Sequence, residues 1–221
     1  MDRSGDPDGS WRGDGNQYLN PEQHAQAKEV IADVQQAERN LTDDMKATAR
    51  ENNCGGWLAG LEHRLKGEER FKEKIAEKIE HEPGKTPARV MEQISDAIRY
   101  TFCFESADYS NGYRDVVDRL SALGCQMIYS KNHWRDDPEY KGINTRWVTP
   151  EGQRYEVQFH TAESFHAKEQ ITHQAYERLR NPLTSDEERQ ELRAFQREVC
   201  TWIPGPDGVA DIENHRREGH G

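Results

Sequence analysis

From Pro21 onward apolar residues recur at three- and four-residue steps, at Val30, Val34, Ala37, Leu41 and Met45, which predicts a long amphipathic helix opened by the proline. Asn52-Asn53-Cys54-Gly55-Gly56 ends it, and Trp57 to Leu65 reads as a turn followed by a short extended stretch. A charged helix over 67–80 runs until Pro83-Gly84 breaks the period, and a shorter helix over 87–95 comes next. Ile98-Arg99-Tyr100-Thr101-Phe102-Cys103-Phe104 is aromatic and β-branched, so 98–104 reads as a strand. Val116, Val117, Leu120 and Leu123 mark the buried side of a helix over 111–123 that stops at Gly124. A second strand over 125–130 leads to a polar loop over 131–139. Residues 142–149 and 154–160 are both strand-like, and Pro150-Glu151-Gly152-Gln153 between them suits the turn of a β-hairpin. Helices over 162–179 and 185–202 complete the pattern. Helices and strands that do not alternate strictly predict an α+β fold, a small mixed or antiparallel sheet flanked by helices. Residues 1–20, rich in Gly, Asp, Asn and Ser, read as a disordered leader, 21–202 as a single domain and 203–221 as a flexible tail.

Composition narrows the function classes. The 221 residues carry 30 Lys and Arg against 41 Asp and Glu, a net charge of −11 that excludes a general polyanion binder, whose affinity comes from neutralising phosphates. No apolar run approaches the ~18 residues of a membrane-spanning helix, and the start lacks the basic and apolar regions of a signal peptide. The default location is therefore cytoplasmic; a mature secreted form, or an effector domain cut from a longer precursor, has the same appearance. Cys54, Cys103, Cys125 and Cys200 are far apart and form no C-x-x-C pair, as expected of reduced thiols. Pro83-Gly84-Lys85-Thr86 imitates the end of a phosphate-binding loop, but Ile79 stands where that loop needs glycine, and a helix precedes it instead of a strand. It reads as a turn. His166, Glu169 and His173 share a helix face, yet a zinc site needs further ligands, and surface histidines are the simpler reading.

Two constellations carry candidate chemistry. Lys66, Arg70, Lys74 and Lys78 form a row at i, i+4 steps, while Phe71, Ile75 and Ile79 form an apolar row and Glu69, Glu73 and Glu77 an acidic one. The row is either a solvated face, with Arg70–Glu73 and Lys74–Glu77 offsetting the repulsion, or a cationic rail for an anion with several charges. On the hairpin, alternation puts Glu156, Gln158 and His160 on one face and Tyr155, Val157 and Phe159 on the other, with Asn144 and Arg146 contributed by the paired strand. That face is either solvated surface or a site. Asp96, beside Arg99, supplies a second carboxylate, and two carboxylates near a cationic rail are what Mg²⁺-assisted phosphoryl chemistry needs.

Tyr140-Lys141-Gly142-Ile143-Asn144-Thr145-Arg146-Trp147, followed by Glu156-Val157-Gln158-Phe159-His160-Thr161, resembles the nucleotidyltransferase-like synthetase domain of RelA/SpoT-type alarmone synthetases. Through Glu163-Ser164-Phe165-His166-Ala167-Lys168-Glu169 and Tyr176-Glu177 it is most similar to actinobacterial ATP nucleotide 3′-pyrophosphokinases. Arg64-Leu65-Lys66-Gly67 with Lys74-Ile75 is similar to the family's basic ATP-binding segment, and the resemblance covers about residues 55–180. It implies transfer of the β,γ-pyrophosphoryl group of ATP to the 3′-hydroxyl of a purine nucleotide, releasing AMP. Under it Arg64, Lys66, Arg70 and Lys74 hold the ATP phosphates, and Asp96 and Glu156 coordinate Mg²⁺. Glu156 is also the catalytic carboxylate that takes the acceptor's proton. Arg99, Lys141, Asn144, Arg146, Gln158 and His160 belong to the acceptor side.

Three departures qualify the resemblance. The family's Gly-Tyr, whose ring stacks on guanine, is Gly142-Ile143 here, which favours adenine or relaxed purine acceptance. Asp96 sits three residues before Arg99, where long-form members have five. The chain contains no His-Asp dipeptide, so a hydrolase half is expected to be absent, as are the regulatory domains. The leading expectation is a small, synthetase-only enzyme, with a toxin or effector role as one form of it and a neutralising antitoxin or immunity protein as the matching partner. Within the family the alternative is a tRNA 3′-end pyrophosphokinase, which the acidic balance disfavours. Outside it the alternative is a catalytically inactive domain that binds a nucleotide or a protein.

Overall fold

The computed structural model describes residues 6–14 and 16–217, and its first element falls where composition predicted a disordered leader. Trp11–Arg12 (β1) and Tyr18–Leu19 (β2) pair antiparallel. Trp11 is only 1% exposed, Leu19 is fully buried, and the Trp11 indole donates to Glu69 Oε2 at 3.1 Å. His24 Nδ1 bonds the Gly9 carbonyl at 2.9 Å and draws the segment against the following helix. Two large apolar side chains thus anchor a stretch whose remaining residues are polar. Residues 1–5 of the expected leader lie outside the described residues.

Asn20 and Gln23 cap each other's backbone N–H groups, and Pro21 fills the first turn of α1 (Pro21–Glu51). Its buried stripe runs through Ala27, Ile31, Val34, Leu41 and Met45, but between Val34 and Leu41 the buried residue is Glu38. Ala37, which the periodicity favoured, is half-buried. Trp57–Ala59 (β3) comes before the 3₁₀ turn Leu61–His63, so this stretch is extended first and turns second, the reverse of the expected order. Gly60, at φ +61°, makes the change of direction. The charged helix α2 is Glu68–His81, with Phe71 and Ile75 on its core side. Lys72 is also buried there, its ammonium 2.7 Å from Glu68 and 3.0 Å from Glu69.

The remaining elements are α3 (Pro87–Met91), β4 (Arg99–Phe104), α4 (Tyr109–Ala122), β5 (Gln126–Asn132), α5 (His133–Asp136), β6 (Ile143–Val148) and β7 (Arg154–Thr161). After them come α6 (Ala162–His166), α7 (His173–Arg180), α8 (Asp186–Thr201) and β8 (His215–Arg216). The helix expected over 162–179 is interrupted by a π-helical turn at Ala167–Ile171, where the Thr172 N–H and hydroxyl both donate to the Ala167 carbonyl. Part of the polar loop expected over 131–139 is α5, capped by the Asn132 side chain. The tail is not loose among its described residues: Val209 and Ile212 are buried, and β8 pairs with β5. Asn132 Nδ2 donates to the Val209 and Ile212 carbonyls, which ties this tail to the sheet.

Six strands form one mixed sheet in the order β3-β4-β7-β6-β5-β8, with β4 and β7 parallel and the other neighbours antiparallel. The α+β expectation therefore holds. One face carries Tyr100, Phe102, Phe104, Tyr155, Val157, Phe159, Ile143 and Trp147, all buried. It packs toward α1 and α4: the Tyr100 hydroxyl meets Thr42, and the Tyr113 ring stands edge-on to Phe159 at 4.8 Å. Period-two alternation sends Arg99, Thr101, Glu156, Gln158, Asn144 and Arg146 to the other face. Among the described residues no helix is long and apolar enough to cross a membrane.

The buried indole gives a direct test of the N-terminal hairpin. Trp11→Ala should destabilise the protein by about 3–5 kcal/mol in urea denaturation, the usual cost of deleting a buried large aromatic. A loss within error of zero would show that this segment does not belong to the core.

Candidate functional site

The site is assembled on the polar face of the sheet by register. Arg99 on β4 lies opposite Glu156 on β7, which lies opposite Arg146 on β6. One row along, Thr101 is opposite Gln158 and Gln158 opposite Asn144. Arg99 Nε donates to Glu156 Oε1 at 2.9 Å, and Gln158 Nε2 donates to the same oxygen at 2.7 Å. Glu156 is 7% exposed, so these two bonds compensate the loss of water that a buried carboxylate otherwise suffers. Both fall on one oxygen, and Oε2 is left for a further partner. Gln158 spends its amide N–H on Glu156, and its Oε1 is a buried acceptor with no partner among the described residues.

Beside this pair lies a cation cluster around Asp96. Lys74 Nζ is 2.6 Å from Asp96 Oδ1, Lys66 Nζ is 3.4 Å from Oδ2, and Arg99 reaches Oδ2 at 3.9 Å. Burial alone would raise the Asp96 pKa, but the Lys74 hydrogen bond and the charges of Lys66, Lys74 and Arg99 outweigh it and hold it at about 2. Burial lowers the Lys66 pKa, with Asp96 opposing and Lys74 adding to the effect. The guanidinium of Arg99 is also penalised by burial, yet Glu156 and Asp96 more than offset this and raise its pKa. Arg99 bridges the two carboxylates proposed from sequence. Among the described residues no group of three or more His, Cys, Asp or Glu side chains is placed to hold a metal, so an all-protein cage is not available.

Arg64, two residues before Lys66, turns its side chain to α1 and is not among the cations that meet Asp96. Its Nε donates to Glu38 Oε1 at 2.5 Å and its Nη1 to the Leu61 carbonyl at 2.9 Å. Thr42 donates to the same Glu38 oxygen. Burial raises the Glu38 pKa, but the Thr42 and Arg64 bonds outweigh it, so the carboxylate stays ionised against Arg64. The site reading missed Glu38, although a visible signal existed: one acidic residue inside the apolar stripe of α1.

The predicted row on α2 divides. Lys66 and Lys74 converge on Asp96, whereas the Arg70 side chain is 72% exposed and pairs with Glu73 at 3.3 Å. Arg70 follows the solvated-face reading, and the structure does not bring it to the cluster. Of the residues expected on an acceptor side, Asn144, Gln158 and Arg146 share the polar face, but Lys141 Nζ donates to the Asp137 carbonyl and braces a loop. His160 is fully buried. Burial, aided by the Lys168 charge, holds its pKa well below the ordinary value, so it is a neutral ring. It sits in a chain: His160 Nδ1 meets Ser164 Oγ at 2.9 Å, its Nε2 meets the Tyr140 hydroxyl at 2.9 Å, and Tyr140 donates to Asn144 Oδ1 at 2.8 Å. His160 therefore orients Asn144 through Tyr140 and does not line the open surface. A Cβ at Gly142 would lie 2.9 Å from the His160 ring and 3.1 Å from the Tyr140 hydroxyl, so glycine is needed where the strand passes this chain.

Ile143 is fully buried opposite Phe159 on the core face. It cannot lie against a base on the polar face, and its identity therefore says nothing about adenine or guanine. Cys103 lies on the polar-face side of β4, but burial pushes its thiol up to about 12, which makes it a poor nucleophile. Two grooves lie elsewhere: one of about 640 Å³ between α1 and β3, lined by Lys46, Arg50, Trp57 and Leu58, and one of about 530 Å³ at the π-turn, lined by His166, Ile171 and Trp202. Neither gathers the carboxylates and cations described above.

No family model matches the chain, and no curated protein matches it. Solved structures do. A GTP pyrophosphokinase family protein from Streptococcus pneumoniae superposes with a TM-score of 0.54 at 18% identity, over 79% of this chain and 87% of that one. Small alarmone synthetase 1 from Bacillus subtilis, bound to its product pppGpp, gives 0.54 at 15% identity over 80% and 92%. Small alarmone synthetase 2 from the same organism gives 0.54 at 17% over 79% and 92%. The mixed sheet and its flanking helices are therefore the fold of the small alarmone synthetases.

Proposed function

We propose that this chain transfers the β,γ-pyrophosphoryl group of ATP to the 3′-hydroxyl of a purine nucleotide and releases AMP. The observation that supports it most is the position of Glu156. This carboxylate is fixed by Arg99 and Gln158, with the Lys66–Lys74–Arg99 cluster on one side and Arg146 on the other. Cations on both sides of one carboxylate suit two phosphate-bearing substrates that meet at it.

On this reading Lys66 and Lys74 exchange Asp96 for the phosphates of ATP, and Arg64, held by Glu38, binds at the rim. Glu156 accepts the proton of the 3′-hydroxyl. The 3′-oxygen forms a bond to the β-phosphorus, the bond from that phosphorus to the oxygen shared with the α-phosphate breaks, and the electron pair leaves on AMP. Gln158 Oε1, a buried acceptor without a partner among the described residues, takes a ribose hydroxyl, and Asn144 offers its amide N–H groups. Asp96 and Glu156 are hard oxygen donors on the same end of the sheet, bridged by Arg99, and among the described residues both hydrogen bonds to Glu156 fall on Oε1. That set fits Mg²⁺, which takes one or two carboxylates plus substrate phosphates and, when bound, neutralises charge on the transferred group. These two residues would hold it.

The assay is incubation with ATP and Mg²⁺ plus, separately, AMP, ADP, ATP, GDP or GTP as acceptor. The expected result is AMP release with a new 3′-pyrophosphorylated nucleotide; no product with any acceptor overturns the proposal. Glu156→Gln should lower kcat by about 10²–10⁴, the range of a lost general base, with an unchanged circular dichroism spectrum. Wild-type turnover in that variant would contradict its role. Glu38→Ala should raise the KM for ATP about tenfold, because Arg64 loses its support, and should cost roughly 1–3 kcal/mol of stability as Thr42 and Arg64 each lose a hydrogen bond to that carboxylate. An unaltered KM would remove Arg64 from the donor site.

A further inference from the structure

The N-terminal hairpin grips the helix that carries Lys74. Trp11 Nε1 donates to Glu69 Oε2 at 3.1 Å, and Gln17 Nε2 donates to Glu77 Oε1 at 2.7 Å. Glu69 and Glu77 belong to the acidic row of α2, about 12 Å apart along its axis, and Lys74 lies between them in the chain. Glu69 and Lys74 stand roughly 140° apart around the helix, so Trp11 holds the side turned away from Asp96. Glu69 takes the indole on one oxygen and the ammonium of the buried Lys72 on the other. The hairpin is itself fixed. Ser10 donates its N–H and its hydroxyl to Asp8 Oδ1, at 2.9 and 2.7 Å, and closes the turn before β1. His24 on α1 bonds the Gly9 carbonyl, and β2 runs directly into Asn20, the N-cap of α1.

The hairpin therefore joins the two helices behind the cations proposed to hold ATP: α1, whose Glu38 holds Arg64, and α2, whose Lys74 meets Asp96. We infer that it is a strap that keeps α2 in place for the ATP phosphates, with Trp11 and Gln17 as positioning residues that act through Glu69 and Glu77. This rests on the donor side of the reaction proposed above. When Lys74 gives up Asp96 for a phosphate, the ion pair that ties α2 to the sheet is lost just as the helix has to stay where it is. The two bonds from the hairpin do not involve Asp96 and persist through that exchange. Filling the core is the simpler task for this segment, but the apolar bodies of Trp11 and Leu19 suffice for it, and neither hydrogen bond to α2 is needed.

The double variant Trp11→Phe/Gln17→Ala removes both hydrogen bonds and keeps an aromatic ring in the core. In initial-rate assays it should raise the KM for ATP about tenfold and leave kcat and the KM of the acceptor unchanged, the pattern of binding lost at one substrate. Gln17→Ala alone, at a half-buried position outside the core, should raise it about threefold. Wild-type constants in the double variant overturn the strap, because the bonds then add stability only; an equal rise in both KM values overturns it too, because the whole fold has then loosened. A second measurement is independent of turnover. In calorimetric titration with α,β-methylene ATP, where carbon replaces the oxygen at the bond to be broken, the double variant should bind about tenfold more weakly than the wild type. That weakening in a protein that transfers nothing to any acceptor upholds the strap and rejects the reaction. Turnover with equal affinity for the analogue in both proteins rejects the strap and leaves the reaction standing, and a wild-type protein that does not bind the analogue overturns both.

Discussion

The ion pair between Arg99 and Glu156 is the constraint around which the polar face is organised. A carboxylate that is 7% exposed cannot remain charged without a partner, and its partner comes from a strand that is parallel and adjacent, in direct register. That register is not set on the polar face. It is set by Tyr100, Phe102, Val157 and Phe159, which are packed on the other side of the same two strands; a slip of one residue would carry them into water and Glu156 into the core. The core thus fixes the chemistry by alternation. Arg99 then links Glu156 to Asp96, so the carboxylate of the hairpin and the cation cluster of α2 behave as one electrostatic unit.

The rest of the site consists of side chains held from behind. Glu38 places Arg64, Tyr140 and His160 place Asn144, and Gln158 braces Glu156 while its oxygen has no partner among the described residues. Each supporting residue is buried or half-buried, and behind each of the groups proposed to meet a substrate stands a fixed hydrogen-bond partner. Such preorganisation is what electrostatic stabilisation of phosphoryl transfer requires, because groups already oriented need no reorganisation as charge develops. His160 stays neutral through burial, which keeps it a fixed link in the chain and not a proton carrier.

Much of this could be read from the chain. Period-two alternation on the hairpin placed Glu156 and Gln158 opposite Tyr155, Val157 and Phe159, and the charged helix placed Lys66 and Lys74 on a common row. What escaped was contact between distant segments. Trp11 and Leu19 sit in a stretch whose average polarity concealed them, and Val209, Ile212 and β8 do the same at the other end. Helical spacing cannot tell which members of a basic row reach a carboxylate of another segment: Lys74 meets Asp96, and Arg70, one turn away, pairs within its own helix with Glu73. His160 was misjudged for a related reason, and the base preference drawn from Ile143 loses its footing because that residue lies on the core face, where alternation puts it. Strand position states the face but not what covers it, and Ile143 faces the core while His160 is sealed beneath Tyr140 and Ser164.

The account is tested most directly by following the phosphorus atoms. Phosphorus NMR of the reaction with ATP labelled separately at each phosphate should show the β- and γ-phosphates arriving together on the acceptor's 3′-oxygen and the α-phosphate remaining in AMP. Release of ADP or inorganic phosphate, or appearance of the γ-phosphate alone on the acceptor, would contradict it.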